Sequence, residues 1–168
     1  MQRRTLLKLG IAGTAVLATV GGLAVLLRPG WQQGRLTEAG RALYVAVSGA
    51  ILDGMLPVSR AARDEALSAH TRRIETAVGG LHPATRAEVA QLTALLLHPA
   101  GRLLVADLPT DWAAADTKQV TSALQSMRSS TLDLRQQAYQ ALRELVNGPW
   151  FADPESWAAV GYPGPRAV

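Results

Sequence analysis

From Leu36 to Asn147 the chain alternates between segments whose apolar residues recur every three or four positions and short breaks rich in Gly, Pro and polar residues. That period belongs to amphipathic helices. Thr37 can accept a free backbone N–H as an N-cap, and the spacing predicts a helix from there to about Met55, where Asp53-Gly54 and Pro57 break it. Its middle, Ala42 to Leu52, is apolar on nearly every face, so it is expected to be buried on several sides as the central helix. Gly49 is the position expected to admit a close neighbour. Ser59 can cap a second helix from Arg60 to about Val78, a surface helix with one apolar stripe through Ala62, Ala66, Leu67, Ile74 and Val78. Pro83 suits the first turn of a third, which His98-Pro99 stops after Leu97. A short helical turn from Ala100 to Ala106 and a loop from Asp107 to Trp112 follow. A fifth helix is predicted from about Asp116 to Met127 and a sixth from about Thr131 to Val146, ended by Asn147-Gly148-Pro149. No run alternates with period two between hairpin turns, so strands are not predicted. The expected fold class is all-α, a compact bundle of five or six helices.

The two ends differ from this middle. Residues 1–30 open with Gln2-Arg3-Arg4-Thr5-Leu6-Leu7-Lys8 and then run apolar from Leu9 to Leu27. Arg3, Arg4, Leu6, Leu7 and Lys8 resemble the twin-arginine export signal, with Gln2 where that signal usually has Ser or Thr. The same basic residues also satisfy the positive-inside rule for a plain membrane anchor. Nineteen residues from Leu9 to Leu27 would span roughly 28 Å as a helix, close to the hydrocarbon thickness, which favours a retained transmembrane anchor. Cleavage stays open, since Gly10, Gly13, Gly21 and Gly22 lower the hydrophobicity as in export signals. The expected location is the periplasmic face of a bacterial inner membrane, or the periplasm if the leader is removed. At the other end, residues 149–168 form an aromatic tail rich in Pro and Gly. With Trp150 it holds four of the chain's eight Trp, Tyr and Phe residues, which makes it a candidate interface. The expected contact residues are Trp150, Phe151, Trp157, Tyr162 and Pro163, with the alternative that the rings fold back on their own bundle. Residues 31–148 are the expected helical domain.

Composition removes several function classes. There are no cysteines, which excludes disulfides, thiolate zinc sites and cysteine-held clusters. The formal charge is +4, but Arg3, Arg4 and Lys8 belong to the leader and the remaining bases are interleaved with acids, so nucleic-acid binding is not expected. No Gly-rich phosphate loop or dinucleotide fingerprint is present. His70, His82 and His98 lack metal-ligand spacing and are expected at the surface or at element boundaries. Asp107, Asp111 and Asp116 do not form a calcium loop, and Ser48, Ser129 and Ser130 lie in no nucleophile motif. Catalysis, a cofactor or a metal in this chain is therefore not expected.

Four pieces together carry a family resemblance: the leader, Ala50-Ile51-Leu52-Asp53-Gly54-Met55-Leu56-Pro57, the run from Ser129 to Ala141 with Arg135 and Tyr139, and the close from Trp150-Phe151 through Trp157 to Gly161-Tyr162-Pro163-Gly164-Pro165. They resemble the small exported subunits that accompany flavoprotein dehydrogenases of the glucose–methanol–choline type, akin to subunit 3 of gluconate 2-dehydrogenase. The resemblance implies a large partner subunit that holds FAD, escort of that partner through the twin-arginine translocase, and electron transfer toward a respiratory chain. It implies no catalytic residue here. The alternative is a free-standing, membrane-tethered helical scaffold or sensor.

Overall fold

The computed structural model describes residues 29–164, which form an all-α bundle. The leader, with Arg3, Arg4, Leu6, Leu7 and Lys8, lies outside the described residues. Helix α1 (Glu38–Ile51) starts where Thr37 accepts the Gly40 amide, as its sequence predicts. Helix α2 (Arg60–Gly79) starts at Ser59, which accepts from Ala62, and α3 (Pro83–Leu97) starts with His82 as its cap. After α3 come the three-residue α4 (Pro99–Gly101) and a π-helical turn, Arg102–Ala106. Helix α5 (Thr117–Arg128) carries a full capping box, Asp116 accepting from Gln119 while the Gln119 side chain accepts from Asp116. Helix α6 (Asp133–Phe151) is followed by a 3₁₀ turn, Pro154–Val160.

Helix α1 is central. It packs against α2, α3, α5 and α6. Leu43, Tyr44, Val47 and Leu52 are wholly removed from solvent, and each such side chain contributes roughly 2 kcal/mol of burial. Tyr44 also carries a polar handle into the core. Thr93 Oγ1 donates to the Val89 carbonyl at 2.7 Å and accepts from Trp31 Nε1 at 3.1 Å, so the Tyr44 hydroxyl, 3.1 Å away, is the donor to it. Burial pushes the Tyr44 phenol up to about 12, against the smaller, opposing effects of Thr93 and Trp31 beside it. The polar group is thereby satisfied and stays neutral.

The structure departs from the sequence reading in four places. First, Trp31–Gln32 (β1) and Arg35–Leu36 (β2) form a small antiparallel ribbon, Trp31 opposite Leu36, where no strand was predicted. Gln33 and Gly34 turn it with φ of 50° and 78°, the left-handed pair a two-residue hairpin needs. Strands of two residues cannot display an alternation, and this pair is held by Trp31 and the buried Leu36 packing on the helices. Second, the close approach on α1 occurs at Gly40, where a Cβ would lie 2.2 Å from the Gly30 carbonyl oxygen. At Gly49 it would meet Leu67 at an ordinary 4.0 Å.

Third, α6 does not end at Asn147-Gly148-Pro149 but continues through Pro149 to Phe151. Pro149 removes the amide that would reach the Leu145 carbonyl, a loss worth about 3 kcal/mol in an isolated helix. The burial of Trp150 on α2 offsets it, and past the proline the Ala152 amide still reaches the Gly148 carbonyl at 3.0 Å. Fourth, His70 is not a surface or boundary residue: it is fully buried on α2, among Leu67, Thr71 and Ile74. Among the described residues no single helix is long and apolar enough to cross a membrane. The bent pair Pro83–Leu97 and Pro99–Ala106 passes by length and composition, but most of its large apolar residues serve the core.

Candidate interaction surface

The aromatic end of the molecule is built on two anchors. The first is Trp150, 7% exposed, whose ring packs edge to face with that of His70, centroids 5.4 Å apart and planes at 84°. The second is Arg73 on α2, which pairs with Asp153 and lies 3.8 Å from Glu155. Between them they fix the chain as it leaves α6, and Ser156 Oγ closes the turn by donating to the Asp153 carbonyl at 2.8 Å.

The tail then folds on itself. Trp157 Nε1 donates to the Phe151 carbonyl at 2.9 Å, and the Tyr162 amide donates to the Trp157 carbonyl at 3.0 Å. The two rings meet edge to face at 5.3 Å, and Gly164, at φ 91°, lies under the indole where a Cβ would be 3.2 Å from Trp157 Cζ3. Pro163 and Gly161 are exposed at the outer turn. The result is a self-supported loop that leaves Phe151 39% and Tyr162 49% exposed. The five sequence-predicted contact residues therefore divide: Trp150 belongs to the core, Trp157 is half-buried as a platform, and Phe151, Tyr162 and Pro163 face solvent.

His70 was missed as a core residue because the sequence offers only a polar residue within an apolar stripe. Neither ring nitrogen, nor Trp150 Nε1, nor Ser48 Oγ nearer the centre of the bundle has a hydrogen-bond partner among the described residues. Burial lowers the His70 imidazole from 6.5 to about 4, and the Arg73 charge adds to that. A neutral, enclosed imidazole in a T-shaped contact with an indole is a packing group. Among the described residues neither of its nitrogens has a partner with which to move a proton.

The remaining polar candidates are engaged in local structure. Asp111 pairs with Arg102 at 3.1 Å and caps Ala113, Asp116 caps α5, and Asp107 ends the π turn at φ 55°. Ser129 donates to the Gln125 carbonyl and Ser130 accepts from Leu132. Among the described residues no three His, Asp or Glu side chains come together as a metal site. Sequence reasoning also overlooked Arg102, a buried arginine whose Nε reaches the Leu108 carbonyl and whose Nη2 reaches the Pro109 carbonyl, so that one guanidinium holds the whole 107–111 loop.

A second apolar surface lies at the far end of α6. Arg135 Nε donates to the Val105 carbonyl at 2.8 Å, bringing the π turn beside the start of α6, and Leu103, Leu104 and Leu132 are exposed there. Arg135 and Phe151 are sixteen residues apart on α6, about 24 Å along its axis, so the two surfaces are separate. No protein-family model, curated protein or solved structure matches the chain.

Proposed function

We propose that this chain is a non-catalytic small subunit that escorts and anchors an exported, flavin-dependent dehydrogenase of the glucose–methanol–choline type at the periplasmic face of a bacterial inner membrane. The FAD belongs to the partner; the chain itself supplies a binding surface and, through Arg3 and Arg4, an address read by the twin-arginine translocase. The observation that carries this reading is the division among the C-terminal aromatics. Trp150 roots the segment in the core, while Phe151 at the end of α6 and Tyr162 on a loop with its own internal hydrogen bonds are held out to solvent. Large rings kept exposed on a preorganised loop lose little entropy on docking, which is what an interface anchor requires.

The test is purification of the full-length chain, with whatever binds it, from the cells that make it. A flavin-bearing subunit should co-purify with the unmutated chain, and changing Arg3 and Arg4 both to Lys should leave the pair in the cytoplasm. Periplasmic yield unaffected by that change would remove the export reading. Purification of this chain alone would favour a free-standing tethered module.

A further inference from the structure

Separate from the aromatic loop, an open cleft of about 540 Å³ lies between the end of α2, the first half of α3 and the second half of α6. Val89 and Leu92 form its buried floor and Leu145 one partly exposed wall. Among the described residues the charged ones that line it are Glu88 on α3 and Glu144 on α6, one on each bank. Neither makes an ion pair with a described residue, in contrast to Glu75, which Arg41 holds at 3.2 Å. An apolar trough with an unneutralised carboxylate on both banks selects a complementary occupant.

We infer that this cleft receives a short amphipathic helix from a partner polypeptide, one that lays an apolar face on Val89, Leu92 and Leu145 and carries Lys or Arg on both flanks to meet Glu88 and Glu144. The dimensions favour a helix. Ala141 and Pro149 line the cleft eight residues apart on α6, about 12 Å along its axis, or roughly two turns of an occupant. The banks are themselves helices, so a third can settle between them by ordinary ridge-and-groove packing. The inference does not depend on the partner being a flavoprotein.

Two capped helical peptides serve as probes for the full-length chain: one with a Leu face flanked by Lys, and its counterpart with Glu in place of every Lys. Fluorescence anisotropy should show saturable binding of the Lys peptide and about tenfold weaker binding of the Glu peptide. Reversing both banks, Glu88→Lys with Glu144→Lys, should invert that preference, and the neutral pair Glu88→Gln with Glu144→Gln should abolish it. Ala141→Arg, which fills the trough, should weaken both peptides. Equal affinity for the two peptides, or a preference that survives the reversal, would overturn the inference. So would concentration-dependent dimerisation that excludes the peptide, since it would assign the cleft to a second copy of the chain.

Discussion

Helix α1 and the C-terminal tail are both rich in apolar and aromatic side chains, yet they are held in opposite ways. The polar contacts of α1 join distant parts of the chain: Tyr44 to Thr93, Arg41 to Glu75, and the Gly49 carbonyl to Arg63. The tail beyond Phe151 is held by bonds between residues two to six apart, and among the described residues its polar ties to α2 are the ion pairs from Arg73. Damage to α1 is therefore felt by the whole domain, whereas damage to the tail stays local. A segment whose rings are uncoupled from global stability is free to be shaped for a partner.

The largest test of this contrast is Val47→Asp. It places an unpaired carboxylate at a position with no solvent access, costing several kcal/mol against a total domain stability of about 5–15 kcal/mol. The full-length chain should lose its cooperative thermal transition, and a sharp transition at an unchanged temperature would mean that α1 is not the centre. Trp150→Ala comes next. It belongs to the tail by sequence and to the core by packing, so it should cost about 3–5 kcal/mol, with a matching fall in Tm. A loss under about 1 kcal/mol would put Trp150 with the tail after all.

Acid gives a third measure. Because burial keeps His70 neutral to about 4 while the unfolded chain takes up a proton near 6.5, its contribution to stability is complete above pH 6.5 and is lost as pH falls from there toward 4. The span corresponds to about 3 kcal/mol. Replacing His70 with Leu should flatten the dependence of Tm on pH in that window, and an unchanged curve would place the titrating group elsewhere. The smallest expected effect is that of Trp157→Ala or Tyr162→Ala on the isolated chain, about 1 kcal/mol or less.

Much of the bundle is legible in the sequence because its helix starts are set locally. Thr37, Ser59 and Asp116 cap the helices they precede, Pro83 opens α3, and the all-round apolar stretch from Ala42 to Leu52 marks the central helix. What sequence reasoning missed depends on contacts between distant residues. The ribbon at Trp31–Leu36 is held by packing on α3, through Thr93, sixty-two residues from Trp31. His70 is buried because Trp150, eighty residues away, covers it. Helix α6 passes Pro149 because the next residue has a pocket to fill. The sequence of the tail predicts only an aromatic segment rich in Pro and Gly. Its division into one core anchor, one platform and two exposed rings rests on the turn at Asp153 and the hydrogen bond from Trp157 to Phe151.

The most direct test of the subunit reading is the flavin content of material purified through this chain, compared between the unmutated protein and Tyr162→Ala. We expect flavin to co-purify with the unmutated chain and to fall about thirtyfold or more in binding strength on Tyr162→Ala, as for a central interface aromatic, with Tm nearly unchanged. Flavin retained in full by Tyr162→Ala, or no flavoprotein with the unmutated chain, would contradict the account.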